Sequence, residues 1–136
     1  MEICQGQGWR LVIDLARHPY IALIGGSDWA AELTREELET LWRATRRLRL
    51  QHAALSDQLM AEESLELDLE LPLAAAEAGA SLWMALEGDR QHWSLRFVLT
   101  PGAGARAVEA GWSVAASGPF AAALEGLEAR LGLVLD

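Results

Sequence analysis

Alternating apolar and polar residues predict that much of the chain is β-strand. Residues 9–15 place tryptophan, leucine and isoleucine on every second position, which is the period of a strand with one buried face. The apolar run 20–24 predicts a second strand, and the alternation of Trp29, Ala31 and Leu33 predicts a short third strand over 29–33. Between them the glycine-rich segment 25–28 predicts a tight hairpin connection, for which we expect glycine to supply a positive φ.

A long amphipathic helix is predicted directly after the third strand. Thr34 and Glu37 have the spacing of a capping box, in which each side chain accepts a hydrogen bond from the other residue's backbone N–H. Side chains that form one buried stripe then recur every three or four residues to about residue 62. The stripe consists of Leu38, Leu41, Trp42, Thr45, Leu48, His52, Leu55 and Leu59.

The second half of the chain repeats the order of strands followed by a helix. Alternation predicts strands over 64–71, 81–87, 92–100 and 107–114. Ser117-Gly118-Pro119 predicts the start of a second helix, because proline fits the first helical turn. Its predicted buried face is Phe120, Leu124, Leu127 and Leu131. An Ala/Gly-rich connection covers 74–80, and we expect the apolar tail 133–135 to pack on a sheet or to meet a partner.

These elements predict the α+β class, with an antiparallel β-sheet and two helices. Trp29 precedes the first helix and Trp112 precedes the second, which suggests a weak duplication of a strands-then-helix unit. A chain of 136 residues has the size of one domain. We therefore expect a single domain, 1–136, whose halves are about 1–62 and 63–136.

The composition excludes several chemistries. The sequence has no lysine and no asparagine, so it offers no P-loop or Schiff-base lysine and no N-glycosylation acceptor. Codon bias in a GC-rich genome explains the missing lysine over most of the chain. Cys4 is the one cysteine, so no intramolecular disulfide can form. We see no signal peptide and no apolar run of membrane-spanning length, and we expect a cytoplasmic protein without membrane contact.

The distribution of charge singles out the long helix. The net charge is −9, yet no acidic residue occurs between Thr40 and Ser56, where four arginines lie. Arg43, Arg46 and Arg47 project away from the buried stripe, and Arg43 has Glu39 four residues before it. Either these arginines pair with the alternating carboxylates Glu66, Asp68 and Glu70, or they bind an acidic partner or a phosphate.

No pattern in the sequence supports catalysis or a cofactor. The three histidines are dispersed without ligand spacing, and no nucleophile motif or dinucleotide fingerprint is present. We interpret the acidic residues of 64–71 as a solvated sheet face and His52 as a partly buried histidine of the helix stripe. The expectation is therefore no catalytic residue, no metal and no cofactor.

Several segments are distinctive in sequence and in order: 8–10, 25–38, 59–63, 82–88, 94–99 and Gly111-Trp112. Over nearly the whole chain they resemble a small cyanobacterial family of proteins of unknown function. The resemblance implies a fold similar to the Whirly and positive-cofactor-four group of single-stranded-DNA-binding transcriptional regulators. It supplies no catalytic residue, and no motif aligns with the positions at which those regulators contact DNA. The insert at 74–80 departs from the family pattern.

The sequence thus predicts a non-catalytic binding protein, most simply an adaptor or assembly factor with a protein partner. Candidate partner-binding residues are Arg43, Arg46 and Arg47. Self-association is a further expectation, because an antiparallel sheet leaves edges to cover. The alternative, implied by fold resemblance, is a single-stranded nucleic-acid-binding transcriptional regulator. Net charge disfavours it, because phosphate affinity comes from cationic contacts, and we expect Trp9, Trp42, Trp93 and Trp112 to pack in the core.

Overall fold

Two four-stranded antiparallel sheets form the framework, and each is followed in the chain by a helix. The computed structural model describes residues 1–58, 60, 63–73, 79–102 and 106–131. The first sheet contains, in spatial order, β1 (Glu2–Gly6), β2 (Trp9–Ile13), β3 (Tyr20–Gly25) and β4 (Ala30–Thr34). The second contains β5 (Leu65–Pro72), β6 (Ser81–Gly88), β7 (Trp93–Thr100) and β8 (Val108–Gly111). The helices are α1 (Arg35–Ser56), α2 (Val114–Glu125) and α3 (Leu127–Leu131).

The α+β class and the antiparallel pairing are confirmed, although β1 was not predicted. β1 pairs with β2 so that Cys4 lies opposite Leu11. Its sequence, Glu-Ile-Cys-Gln-Gly, has little apolar alternation, because an edge strand that is mostly exposed does not require it. The connection 25–28 is a hairpin turn as predicted, with the Gly26 N–H donating to the Trp29 carbonyl over 3.0 Å.

The reason for glycine in that turn differs from the prediction. Neither Gly25 nor Gly26 has a positive φ. A Cβ on Gly26 would instead lie 2.2 Å from Nε1 of Trp29, so this glycine makes room for the folded-back indole. The same relation holds in the hairpin between β1 and β2, where a Cβ on Gly6 would lie 2.4 Å from Nε1 of Trp9.

α1 begins as predicted and ends earlier than predicted. The Thr34 hydroxyl accepts the Glu37 N–H, and the Glu37 carboxylate accepts the Thr34 N–H, which is the capping box. The helix stops at Ser56, where the Arg90 guanidinium binds the Ser56 carbonyl over 3.0 Å. Leu55 is 38% exposed and so lies outside the buried stripe, and Leu59 lies outside the described residues.

The transition from β8 to α2 was placed too late. The strand ends at Gly111 and the helix begins at Val114, because Ser113 rather than Ser117 is the N-cap and accepts the Ala116 N–H. Ser117 is buried and its hydroxyl accepts the Leu95 N–H of β7. Pro119 consequently lies inside the helix. Phe120, Leu124 and Leu127 are fully buried, as predicted.

The predicted connection 74–80 lies largely outside the described residues. So do the Leu131 side chain and the tail 133–135.

Two tryptophans join the halves of the molecule through reciprocal hydrogen bonds. The Trp29 indole donates to the Gly111 carbonyl over 3.0 Å, and the Trp112 indole donates to the Gly25 carbonyl over 2.9 Å. Their ring centres lie 5.2 Å apart, and Trp112 stacks on Phe120 at 4.0 Å. The two tryptophans that suggested a duplication therefore contact each other between the two sheets, as part of the core.

Candidate functional site

The predicted arginines lie on the side of α1 that faces away from the core. Arg46 and Arg47 are exposed and Arg43 is half-buried, whereas the residues of the stripe up to His52 are buried. Spacings of three and four residues bring further side chains onto the same side of the helix. We call this surface the α1 outer face. It consists of Arg43, Arg46, Arg47, Leu50 and Ala54.

The arginines of this face differ in their contacts. Arg43 donates to the Thr40 hydroxyl over 3.3 Å, and the Arg46 guanidinium lies over the Trp42 ring, 5.5 Å from its centre. Glu39 accepts a hydrogen bond from Arg35 over 3.0 Å. Within the described part of the chain, no carboxylate pairs with Arg46 or Arg47. With respect to the described residues, these two exposed guanidinium groups are open to an acidic group from outside.

The prediction that Glu66, Asp68 and Glu70 of β5 pair with Arg46 and Arg47 is wrong for the described residues, because these carboxylates have other partners. Glu66 pairs with Arg96 over 3.0 Å. Asp68 accepts the Trp83 indole N–H over 2.9 Å, and Glu70 accepts the Ser81 hydroxyl over 3.3 Å. The geometric cause is that α1 packs against the leucine side of β5, while the three carboxylates point to the opposite, exposed side.

Arg49, the fourth arginine of this stretch, ties α1 to α2. Both its Nε and its Nη2 donate to the Glu125 carboxylate. These hydrogen bonds, and then the charge of Glu125, raise the pKa of the Arg49 guanidinium although burial opposes this. Arg49 is therefore occupied within the fold and does not belong to the α1 outer face.

Trp42 lies beneath Arg46 with an unusual feature. The residue is only 6% exposed, and its buried Nε1 has no hydrogen-bond partner among the residues that the structure describes. A buried donor without an acceptor costs about 1–3 kcal/mol. Phenylalanine would avoid that cost but would leave part of the volume of the indole empty, so both core packing and the contact with Arg46 favour the larger ring.

Two clefts were not predicted from the sequence. One, of about 530 Å³, lies between the two hairpin turns of the first sheet and is lined by glycines, Trp9, Trp29, Arg10 and Asp28. The repeated Gly-x-x-Trp spacing at 6–9 and 26–29 was the available signal.

The other cleft, of about 250 Å³, lies at the end of α1 beside His52, Arg49 and Arg90. His52 is buried, with Nε2 placed 3.1 Å from the Gly88 carbonyl. Both arginines are already engaged, Arg49 with Glu125 and Arg90 with Ser56. The groups at this cleft therefore hold the fold together.

The described residues contain no group of three or more His, Cys, Asp or Glu side chains placed to hold a metal ion. Across the described ranges, no helix combines the length and the apolar character needed to cross a membrane.

The chain belongs to the family described as Domain of unknown function (DUF1818), whose model matches residues 4–127. It is also similar to a solved crystal structure at 1.80 Å resolution, described as a protein with unknown function from DUF155 family from Prochlorococcus sp. NATL2A. The two chains are 30% identical, with a TM-score of 0.80, and the match covers 93% of this chain and 98% of that one. No curated protein matches the sequence. The predicted resemblance to a cyanobacterial family of unknown function is confirmed.

Proposed function

We propose that the protein is a non-catalytic, cytoplasmic adaptor or assembly factor whose α1 outer face binds an acidic surface of a protein partner. The observation that carries the proposal is the pair Arg46 and Arg47, which are exposed and lack a carboxylate partner within the described residues. In a protein of net charge −9, such a basic surface attracts partners that the rest of the molecule repels.

The chemistry of the face favours carboxylates on a protein. A guanidinium group offers a planar fork of donors that binds a carboxylate through two hydrogen bonds. Leu50, which is 56% exposed, adds an apolar contact beside the arginines. Arginine with a neighbouring apolar anchor is a common composition for the centre of a protein interface.

Reversing two charges tests this proposal. We expect the Arg46→Glu/Arg47→Glu variant to lose at least about 90% of a partner captured from a cyanobacterial lysate, because each replacement turns attraction into like-charge repulsion. The measurement is quantitative mass spectrometry of proteins retained by immobilised wild-type and variant protein.

The matched control is Arg10→Glu/Arg17→Glu, which makes the same change in net charge at two exposed arginines, one on β2 and one in the connection between β2 and β3, where it pairs with Glu32. It should retain the partner. If both variants retained the partner equally, binding through α1 would be contradicted. If both lost it equally, the loss would be explained by the change in net charge and not by the α1 outer face.

The alternative, a single-stranded nucleic-acid-binding regulator, draws on the resemblance to the Whirly group. The repeated order of four antiparallel strands and a helix, together with the Arg96 guanidinium placed 4.9 Å from the centre of the exposed-side Trp83 ring, supports it. Several observations oppose it. The Trp83 indole donates a hydrogen bond to Asp68, and Arg96 pairs with Glu66. Trp42 and Trp112 are buried, and Trp9 and Trp93 pack against the core.

A gel-shift titration separates the two proposals. We expect no micromolar binding of a single-stranded oligonucleotide at low salt, because the carboxylates beside Trp83 repel phosphates. Binding that weakens as salt rises, and that is lost in Trp83→Ala, would replace the adaptor proposal with the nucleic-acid proposal.

A further inference from the structure

The α1 outer face changes in character along the helix. Its first part is cationic, with Arg43, Arg46 and Arg47, and its second part is apolar, with Leu50 and Ala54. Ala53 beside it is also exposed. At about 1.5 Å per residue, the face from Arg43 to Ala54 extends for about 17 Å, or three helical turns. A partner that covers it must therefore be elongated and must change from acidic to apolar along its length.

The side chains of the face are arranged as parallel ridges. Arg46, Leu50 and Ala54 lie four residues apart and form one ridge, and Arg43 and Arg47 form the next. The shallow groove between such ridges receives the side chains of a second helix in helix–helix packing. Ala54 is small, so a second helix can approach closely at the apolar end.

Resting on the proposed function, we propose that the partner's binding segment is an acidic amphipathic helix that packs lengthwise on the α1 outer face. Its carboxylates lie opposite Arg46 and Arg47, and an apolar side chain packs on Leu50 and Ala54. Residues at i, i+3, i+4 and i+7 share one helical face, and Arg43, Arg46, Arg47 and Leu50 have that spacing, so α1 offers a single face to the partner helix.

Arg46 is the residue that this arrangement prepares for binding. Its guanidinium is held against the Trp42 ring, at 5.5 Å from the centre. Contact with an aromatic face restricts the rotamers of a long side chain, and a restricted donor loses less entropy when a carboxylate arrives. Trp42 thus acts through Arg46 as a positioning residue, which gives a reason for tryptophan at this place.

Synthetic peptides provide the direct test. The probe is a fluorescein-labelled peptide of about 18 residues, long enough to form a helix on binding, with glutamates and leucines on one helical side. Two controls have the same length, one with the same residues scrambled and one with glutamine in place of glutamate. Fluorescence anisotropy should show the ordered acidic peptide binding at least about tenfold more tightly than either control, with affinity falling as salt rises.

Variants of the protein locate the site. Arg46→Ala and Leu50→Asp should each lower the affinity for the ordered peptide by at least about fivefold, because the first removes a charge partner and the second removes an apolar anchor. Arg10→Ala, an exposed arginine on β2, is the matched control and should leave the affinity unchanged. Trp42→Phe should lower the affinity for the peptide less than Arg46→Ala does. When both substitutions are combined, the affinity should equal that of Arg46→Ala alone, because Trp42 acts through Arg46.

The outcomes distinguish this inference from the proposed function. Equal binding of ordered and scrambled peptides, still dependent on Arg46, would overturn the helical partner and leave the acidic-surface proposal standing. If none of the peptides bound, the proposal of a helical binding segment would also be overturned. Self-association lost in Leu50→Asp, measured by light scattering, would assign the face to a second copy of the chain instead. Lysate capture that does not depend on Arg46 and Arg47 would overturn the proposed function itself.

Discussion

Replacing Trp112 with alanine is expected to lower the free energy of unfolding by about 3–5 kcal/mol, which is the usual cost of removing a large buried aromatic side chain. Trp112 is 4% exposed, stacks on Phe120 and donates to the Gly25 carbonyl of the first sheet. Domains of this size are stable by about 5–15 kcal/mol in total. Urea unfolding followed by circular dichroism should therefore show a much lower midpoint with an unchanged slope.

Phenylalanine variants separate the hydrogen bond from the packing. Trp112→Phe keeps an aromatic ring but removes the donor to Gly25, so we expect it to cost about 1–3 kcal/mol. Trp83→Phe removes a donor of the same kind from the exposed side of the second sheet, where its acceptor Asp68 remains solvated. The second variant should cost less than about 1 kcal/mol. Equal costs would contradict the role of Trp112 as the link between the halves.

Local interactions explain what could be predicted about the fold. The start of α1 depends on Thr34 and Glu37, which are three residues apart, and both capping hydrogen bonds form as their spacing predicts. The leucines of β5 alternate strictly, and their burial alternates in the same way. Such elements depend on neighbours in the sequence, so their identity and their side of burial can be inferred without the tertiary structure.

Long-range contacts explain what could not be predicted. The sequence predicts the helix start at Ser117, but Ser113 is the N-cap, since the Leu95 N–H of β7 occupies the Ser117 hydroxyl. α1 ends where Arg90, thirty-four positions beyond Ser56, binds its last carbonyl. The division of eight strands into two sheets is likewise a matter of pairing between distant segments, which alternation alone does not specify.

In the candidate site, too, local features could be predicted from the sequence and long-range contacts could not. The outward position of Arg46 and Arg47 follows from the period of the helix and is confirmed. The partners of the acidic residues depend on strand register. Ala85 of β6 lies opposite Asp68 of β5 on one side and opposite Arg96 of β7 on the other. Arg96 is therefore close enough to pair with Glu66, which the helix arginines do not reach. The contact between Arg46 and Trp42 could be predicted only in part. Residues four apart share a helix face, but the rotamers that bring the two side chains together depend on packing.

The substitution Gly88→Ala is expected to be as damaging as loss of the central tryptophan, although it adds only one carbon atom. Gly88 ends β6 with a φ of +150°, a conformation that residues with a Cβ rarely adopt. An added Cβ would lie 2.1 Å from the His92 carbonyl oxygen and 2.4 Å from Cα of Trp93. Both are backbone atoms of the paired strand, so no side-chain rotation relieves the overlap.

Relief of that overlap requires β6 and β7 to separate where Gly88 pairs with Trp93. The same movement pulls the Gly88 carbonyl away from Nε2 of the buried His52. Backbone strain and overpacking each cost about 1–3 kcal/mol, so we expect a combined loss of about 3–5 kcal/mol, measured from the urea midpoint of unfolding.

Two other glycines provide matched controls. Gly79 also has a positive φ, +89°, but a Cβ there would meet no atom of the described residues within 4 Å, so Gly79→Ala should cost only the backbone strain of about 1–2 kcal/mol. Gly118 lies in α2, where a Cβ would likewise have no neighbour within 4 Å in the described part of the chain, and Gly118→Ala should stabilise the protein by about 0.5–1 kcal/mol. If Gly88→Ala cost no more than Gly79→Ala, the close approach of β7 to Gly88 would not be a feature of the folded protein in solution.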